Sequence, residues 1–205
     1  MFDARLRPLI DPPLNAVGRF LAGLGIGANA VTLSGIVTGL ATGLAVAQGC
    51  YWLGLGLIVL NRLLDGLDGA VARATRLTDF GGYLDILGDF VFYTAVPVGF
   101  GLADPPARLA AMVLLAMFTL TGISFLAFAT MAAKRGLETV AHGRKSFFYN
   151  TGLAEGTETI AVFVTMALLP QHFAVIAYGY AALCLLTVIQ RSLIAWSEFS
   201  GPGHV

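Results

Sequence analysis

The chain has 205 residues, of which 57% are hydrophobic and only 12% are charged. This composition excludes an ordinary soluble domain, in which about a quarter of the residues are charged, and it indicates an integral membrane protein. The formal net charge is zero, so the charge balance gives no sign of a nucleic-acid partner, and none is expected.

The first 28 residues differ from the rest of the chain. Basic residues alternate with apolar ones in this segment, the basic ones being Arg5, Arg7 and Arg19. Such alternation is typical of a helix that lies on a membrane surface. We therefore predict a short amphipathic helix in residues 1–28, broken at Pro12-Pro13, followed by a transmembrane domain over residues 29–205.

Six apolar stretches follow, each close to the roughly 20 residues that an α-helix needs to cross the hydrocarbon core. They are approximately residues 30–49, 51–73, 79–103, 107–133, 152–169 and 173–196. The sequence therefore predicts an all-α, polytopic membrane protein with six transmembrane helices. Of the twelve Lys and Arg residues, Arg108 alone falls on the outer side. The positive-inside rule then predicts cytoplasmic termini, in the inner membrane of a bacterium.

Four aspartates and an arginine lie in the second and third predicted spans. They form the pattern Asp65-x2-Asp68-Gly69-x2-Ala72-Arg73, followed by Gly81-x3-Asp85-x3-Asp89. One acidic residue inside a span costs roughly 2.5–3.5 kcal/mol, so four without compensation would cost about 10–14 kcal/mol. That cost indicates a functional site. The alternative, a helix-packing role, suits one acidic pair better than two.

Helical spacing places these residues on two faces. Steps of three and four relate the members of each set, namely positions 65, 68, 69, 72 and 73 in one and 81, 85 and 89 in the other. The short connection makes the two helices antiparallel neighbours, with both aspartate pairs just below the cytosolic interface. Carboxylates around one cavity repel one another unless divalent metal binds them, and oxygen ligands suit Mg²⁺, Mn²⁺ or Ca²⁺. Two such ions would cancel the four charges.

This pattern resembles the signature of the CDP-alcohol phosphatidyltransferases, integral membrane enzymes of phospholipid synthesis. The loop between Arg73 and Gly81 has seven residues, Ala74 to Phe80, where the usual pattern has eight. The resemblance implies transfer of a phosphatidyl group from a CDP-linked lipid, such as CDP-diacylglycerol, to a small alcohol, with release of CMP. It also implies a homodimer surrounded by membrane lipids.

The resemblance further assigns roles to individual residues. The expected ligands of two Mg²⁺ or Mn²⁺ ions are Asp65, Asp68, Asp85 and Asp89. Asp89 would also act as the general base that takes the proton of the acceptor hydroxyl. The residues expected to contact the cytidine nucleotide and its diphosphate are Asp65, Asp68, Gly69, Ala72, Arg73 and Gly81.

The sequence says less about the alcohol acceptor. Glu155 and Glu158 lie on one face near the cytosolic start of the fifth span, and they either line an acceptor pocket or stabilise the helix start. Lys145 and Arg191 are either acceptor-binding residues or interface charges that set the topology. Family members that use phosphorylated polyols are expected to have arginines near residues 152–159. Their absence here favours a neutral or amino-bearing alcohol, and the alternative is that Arg144, Lys145 and Arg191 bind the phosphate of a phosphorylated one.

Other classes of function remain open. A cation transporter would also need carboxylates inside the membrane, but it would spread them along a path to both faces. The first, fourth and sixth predicted spans have no acidic residue in their apolar interiors. A structural scaffold would have no use for a metal-binding cavity. Among enzymes, a metal-dependent lipid phosphohydrolase would use water in place of the alcohol and release CMP from the donor alone.

Overall fold

The structure is a computed structural model that describes residues 3–136 and 153–200, most of them helical. The α-helices of this part are α1 Asp3–Gly23, α2 Ala28–Ala47, α3 Tyr51–Ala74, α4 Asp79–Ala103, α5 Arg108–Lys134, α6 Gly156–Leu168 and α7 Phe173–Phe199. Short 3-10 turns, Pro105–Ala107 and Pro170–His172, precede α5 and α7. The described residues contain no strand, so the predicted all-α class is confirmed.

Four helices of the described part are long and apolar enough to cross a membrane, namely α2, α4, and α5 and α7 with their preceding turns. Helix α3 has 24 residues but carries four charged side chains, Arg62, Asp65, Asp68 and Arg73. Helix α6 has only 13 residues and begins at Gly156, whereas the predicted span begins at position 152, outside the described residues. Helix length and composition thus identify a membrane protein with four clear spans.

Helix α1 is continuous through Pro12-Pro13, where the sequence predicted a break. Its packing against α3 accounts for the difference. A side chain on Gly18 would collide with Ala70 at 2.7 Å, and the side chain of Leu14 lies against Gly66. Contact along α3 therefore supports a helix that lacks the amide donors of Pro12 and Pro13.

Small residues allow α2 to pack closely against α3 and α4. A Cβ atom on Gly43 of α2 would lie 2.6 Å from the backbone oxygen of Ala95 in α4. On the other side, Nδ2 of Asn61 in α3 donates a hydrogen bond of 2.8 Å to the carbonyl oxygen of Gly35 in α2. Helix α2 thus fixes the relative position of the two helices that carry the aspartates.

Aromatic side chains fill the space between α4, α5, α6 and α7. Phe92 and Phe163 are fully buried, with ring centroids 5.5 Å apart, and Phe118 lies 6.0 Å from both Phe163 and Tyr180. Many large apolar side chains on the outer surface are exposed, as expected where lipid is the solvent. The aromatic core holds α6 and α7 beside α4, on which Asp85 and Asp89 lie.

Candidate functional site

The structure brings the four aspartates of the motif to one cavity. The cavity measures about 730 Å³ and is bounded by α1, α3, α4 and α6. Asp65 and Asp68 extend into it from α3, and Asp85 and Asp89 from α4. Asp68 is buried, with 6% of its surface exposed, whereas Asp85 is exposed. Both helical faces inferred from residue spacing therefore meet in space.

Arg62, which is not among the predicted site residues, lies between these aspartates. Its Nη1 donates a hydrogen bond to Oδ1 of Asp89 at 3.0 Å, and the same nitrogen lies 3.6 Å from Oδ2 of Asp65. Nε and Nη2 both donate to Oδ1 of Asn61, at 3.0 and 2.6 Å. The guanidinium carbon lies 4.6 Å from the centroid of the Phe92 ring. Charged and neutral neighbours together fix the guanidinium.

The sequence contains one signal for Arg62. It precedes Asp65 by three residues and so shares a helical face with the motif aspartates. The positive-inside rule treats it only as one more charge on the inner side of the membrane. Its pairing with Asp89, which is 27 residues away on α4, depends on how α3 and α4 pack and cannot be read from spacing.

The donor set fits a divalent cation in its chemistry. Carboxylate oxygens are the ligands that Mg²⁺ and Mn²⁺ prefer, and Thr32 adds a hydroxyl beside Asp68. Among the described residues, however, no three carboxylate, histidine or cysteine side chains converge closely enough to hold an ion in this arrangement. Arg62 engages Asp65 and Asp89 instead.

The other motif residues take different positions. Gly69 and Arg73 line the aspartate cavity, and Nη2 of Arg73 donates to Oδ1 of Asn15 in α1 at 3.0 Å. Ala72 is half-buried on α3. The backbone N–H of Gly81 donates to the hydroxyl of the N-cap residue of α4 at 3.0 Å. Arg73 thus connects the motif to the N-terminal helix, and Gly81 forms part of the start of α4.

A second cavity, of about 280 Å³, lies between α4, α5, α6 and α7. Asp89 and Tyr93 line both cavities, so Asp89 lies where the two meet. Glu155, at the start of α6, and Arg191 of α7 also line the second cavity, and both are predicted acceptor residues. Glu158 lies in the first turn of α6, and Lys145 lies outside the described residues.

Arg191 offers a hydrogen-bond donor in this second cavity. Its Nη1 donates to the carbonyl oxygen of Thr121 at 3.0 Å and to Oγ of Ser124 at 3.3 Å. Its Nε is buried and has no hydrogen-bond partner within the described ranges. A buried donor left without a partner costs about 1–3 kcal/mol, so the arrangement favours binding of a polar ligand group there.

Comparisons with known proteins show which proteins this chain is similar to. A family model described as CDP-alcohol phosphatidyltransferase matches residues 26–195. The chain is 47% identical over 200 residues to the inner membrane protein YnjF of Escherichia coli (strain K12), covering 97% of this chain and 96% of that protein. It is 36% identical over 101 residues to an archaetidylinositol phosphate synthase of Pyrococcus horikoshii, covering 48% of this chain and 53% of that one.

Solved structures show the same fold. A crystal structure of Mycobacterium tuberculosis phosphatidylinositol phosphate synthase (PgsA1) with CDP-DAG bound matches with a TM-score of 0.70 at 23% identity, covering 89% of this chain and 93% of that chain. The same enzyme in complex with manganese and citrate matches with a TM-score of 0.69 at 23% identity, covering 89% and 88%.

We expect Asp68→Asn and Asp89→Asn to change the stability of the metal-free protein in opposite directions. Asp68 is buried near other carboxylates, so loss of its charge should stabilise the fold by about 1 kcal/mol. Asp89 pairs with Arg62, so its neutralisation should destabilise the fold by about 1 kcal/mol or more. Thermal unfolding in detergent with a chelator measures both effects. A shift in the same direction for both variants would contradict this electrostatic arrangement.

Proposed function

The chain belongs to the CDP-alcohol phosphatidyltransferase family, which makes it a membrane enzyme that transfers a phosphatidyl group from a CDP-linked lipid to an alcohol, and we propose how its residues perform this transfer. The proposed donor is CDP-diacylglycerol, and the released product is CMP. The proposed cofactor is Mg²⁺ or Mn²⁺, with Asp65, Asp68, Asp85 and Asp89 as the candidate ligands. The CDP-DAG and the manganese named for the two solved relatives support both choices.

One observation carries the proposal: Asp89 lies where the two cavities meet. We assign the larger cavity to the donor and the smaller one to the acceptor. Asp89 would then face the acceptor hydroxyl and take its proton, as a general base must lie within hydrogen-bond reach of that group. The acceptor oxygen forms a bond to the phosphatidyl phosphorus, and the bond from this phosphorus to the bridging oxygen of CMP breaks.

The donor side needs charge neutralisation and alignment more than covalent help from the protein. When bound, a divalent metal supplies positive charge to the diphosphate of the donor. Asp65, Asp68 and Asp85 hold it in this proposal. The nucleotide lies against Gly69, Ala72 and Gly81, and Arg73 contributes a positive charge at the cavity wall. A Cβ atom on Gly69 would lie 3.2 Å from Nη1 of Arg73, so a side chain there would narrow the cavity.

The acceptor cavity suits a small alcohol. Its volume is about 280 Å³, and its charged lining residues in the described ranges are Asp89, Glu155 and Arg191. Asp89 is already paired with Arg62, and Glu155 offsets the charge of Arg191, so the lining offers no excess of positive charge to the dianion of a phosphorylated acceptor. We therefore keep a neutral or amino-bearing alcohol as the proposed acceptor. Glu158 and Lys145 remain candidates for the same pocket.

The proposed arrangement in the membrane uses six spans. The four clear spans are α2, α4, α5 and α7, and the other two are α3 and the predicted span over residues 152–169, which contains α6. Helix α1 lies on the membrane surface and is separate from the transmembrane domain of residues 29–205. Both termini and the aspartate cavity face the cytoplasm of a bacterium, as the distribution of Lys and Arg indicates. This placement keeps the acyl chains of the donor in lipid while its nucleotide stays in water. We also propose a homodimer, on family grounds alone.

We expect purified protein to release CMP from CDP-diacylglycerol only when a divalent metal and a suitable alcohol are both present. The alcohol panel includes neutral polyols, amino alcohols and phosphorylated polyols, and CMP is measured by chromatography. Asp89→Asn should lower the rate by about 10²–10⁴-fold, because the general base is lost. CMP release without any alcohol would favour a phosphohydrolase, and full activity of Asp89→Asn would contradict the assigned base.

A second expectation concerns the acceptor pocket. Arg191→Gln should raise KM for the alcohol about tenfold or more, because hydrogen bonds from a charged donor are worth about 1.5–3 kcal/mol. KM for the donor lipid should change little. Arg135→Gln is a matched control, since Arg135 contacts the carbonyl oxygens of Glu198 and Phe199 outside the pocket. An equal rise in both KM values would indicate a general structural defect instead.

A further inference from the structure

Arg62 is a fixed part of the aspartate cluster. Three of its contacts are to neutral groups, namely two hydrogen bonds to Oδ1 of Asn61 and the face of the Phe92 ring. Asn61 is itself held by its hydrogen bond to the carbonyl oxygen of Gly35 in α2. Only 19% of the Arg62 side chain is exposed. These contacts involve no carboxylate, so they do not weaken when other ions balance the charges of the carboxylates.

The guanidinium lies between two of the four aspartates. Its Nη1 lies 3.0 Å from an oxygen of Asp89 on α4 and 3.6 Å from an oxygen of Asp65 on α3, so its positive charge connects carboxylates of the two helices. An ion at the same two carboxylates would lie directly beside a like charge. At such a separation the repulsion is unfavourable even where water screens it.

The charge count leads to the same conclusion. The four aspartates carry four negative charges, and the expectation of two divalent ions balanced these alone. Arg62 supplies one positive charge inside the cluster, so a single divalent ion reduces the net charge to minus one. A second divalent ion would make the cluster positive before any diphosphate had bound.

We infer that Arg62 takes the place of the second metal ion, so that the cluster binds one divalent ion when no donor is present. This inference rests on the proposed metal site. Asp68 and Asp85, together with Asp65, would hold this ion once their side chains turn towards it, since no three of the described carboxylates converge in the present arrangement. Asp89 is left out of the ligand set and remains available for the acceptor proton. Arg62 is thus a positioning residue, which orients the Asp89 carboxylate at the junction of the two cavities.

The number of Mn²⁺ ions bound per chain tests the inference. The full-length protein in detergent, without donor, is titrated with Mn²⁺, and free ion is measured by electron paramagnetic resonance. We expect about one ion per chain for the wild type and about two for Arg62→Ala, which frees Asp65 and Asp89. Arg62→Lys keeps the charge and should bind about one ion. Arg108→Ala is a control, because Arg108 contacts the carbonyl oxygen of Gly101 near the far end of α4.

Two ions in the wild type would overturn the inference, and so would a single ion in a folded Arg62→Ala protein. Either result would leave the proposed function intact. The wild-type count decides the question even if Arg62→Ala does not fold. By contrast, the absence of bound Mn²⁺ in the wild type, or unchanged binding in a combined Asp68→Asn and Asp85→Asn variant, would overturn the proposed metal site itself and the inference with it.

Discussion

The cost of keeping carboxylates among membrane helices is the constraint on which the rest of this structure depends. Each of the four aspartates would be expensive in an apolar span, and their mutual repulsion adds to that cost. Arg62 offsets part of this cost, because its positive charge lies between Asp65 of α3 and Asp89 of α4. The remaining negative charge favours a divalent cation.

This electrostatic arrangement depends on close helix packing. Small residues of α2 allow α3 and α4 to approach, and the hydrogen bond from Asn61 to Gly35 connects α3 to α2 at the level of Arg62. The aromatic core then places α6 and α7 against the other side of α4. As a result Asp89 is shared between a large cavity beside α1 and a smaller one beside α7. In the proposed mechanism the donor and the acceptor would each reach this carboxylate from a different cavity.

Helical periodicity was sufficient to predict the aspartate faces, because residues three and four apart must share a face whatever their surroundings. Reasoning from local sequence alone failed at Pro12-Pro13, where packing of α1 on α3 overrides the local loss of amide donors. It also omitted Arg62, whose role depends on a contact between two helices. The lining of the second cavity could be predicted only in part for the same reason, since Glu155 and Arg191 come together through packing of α6 and α7.

Anomalous diffraction from crystals grown with Mn²⁺ is the most direct measurement of whether the aspartates bind metal. We expect a peak in the aspartate cavity, within about 2.0–2.6 Å of carboxylate oxygens of Asp68 and Asp85. A cavity without any such peak, with its aspartates neutralised by basic side chains alone, would contradict the central claim that this cluster exists to bind a divalent ion.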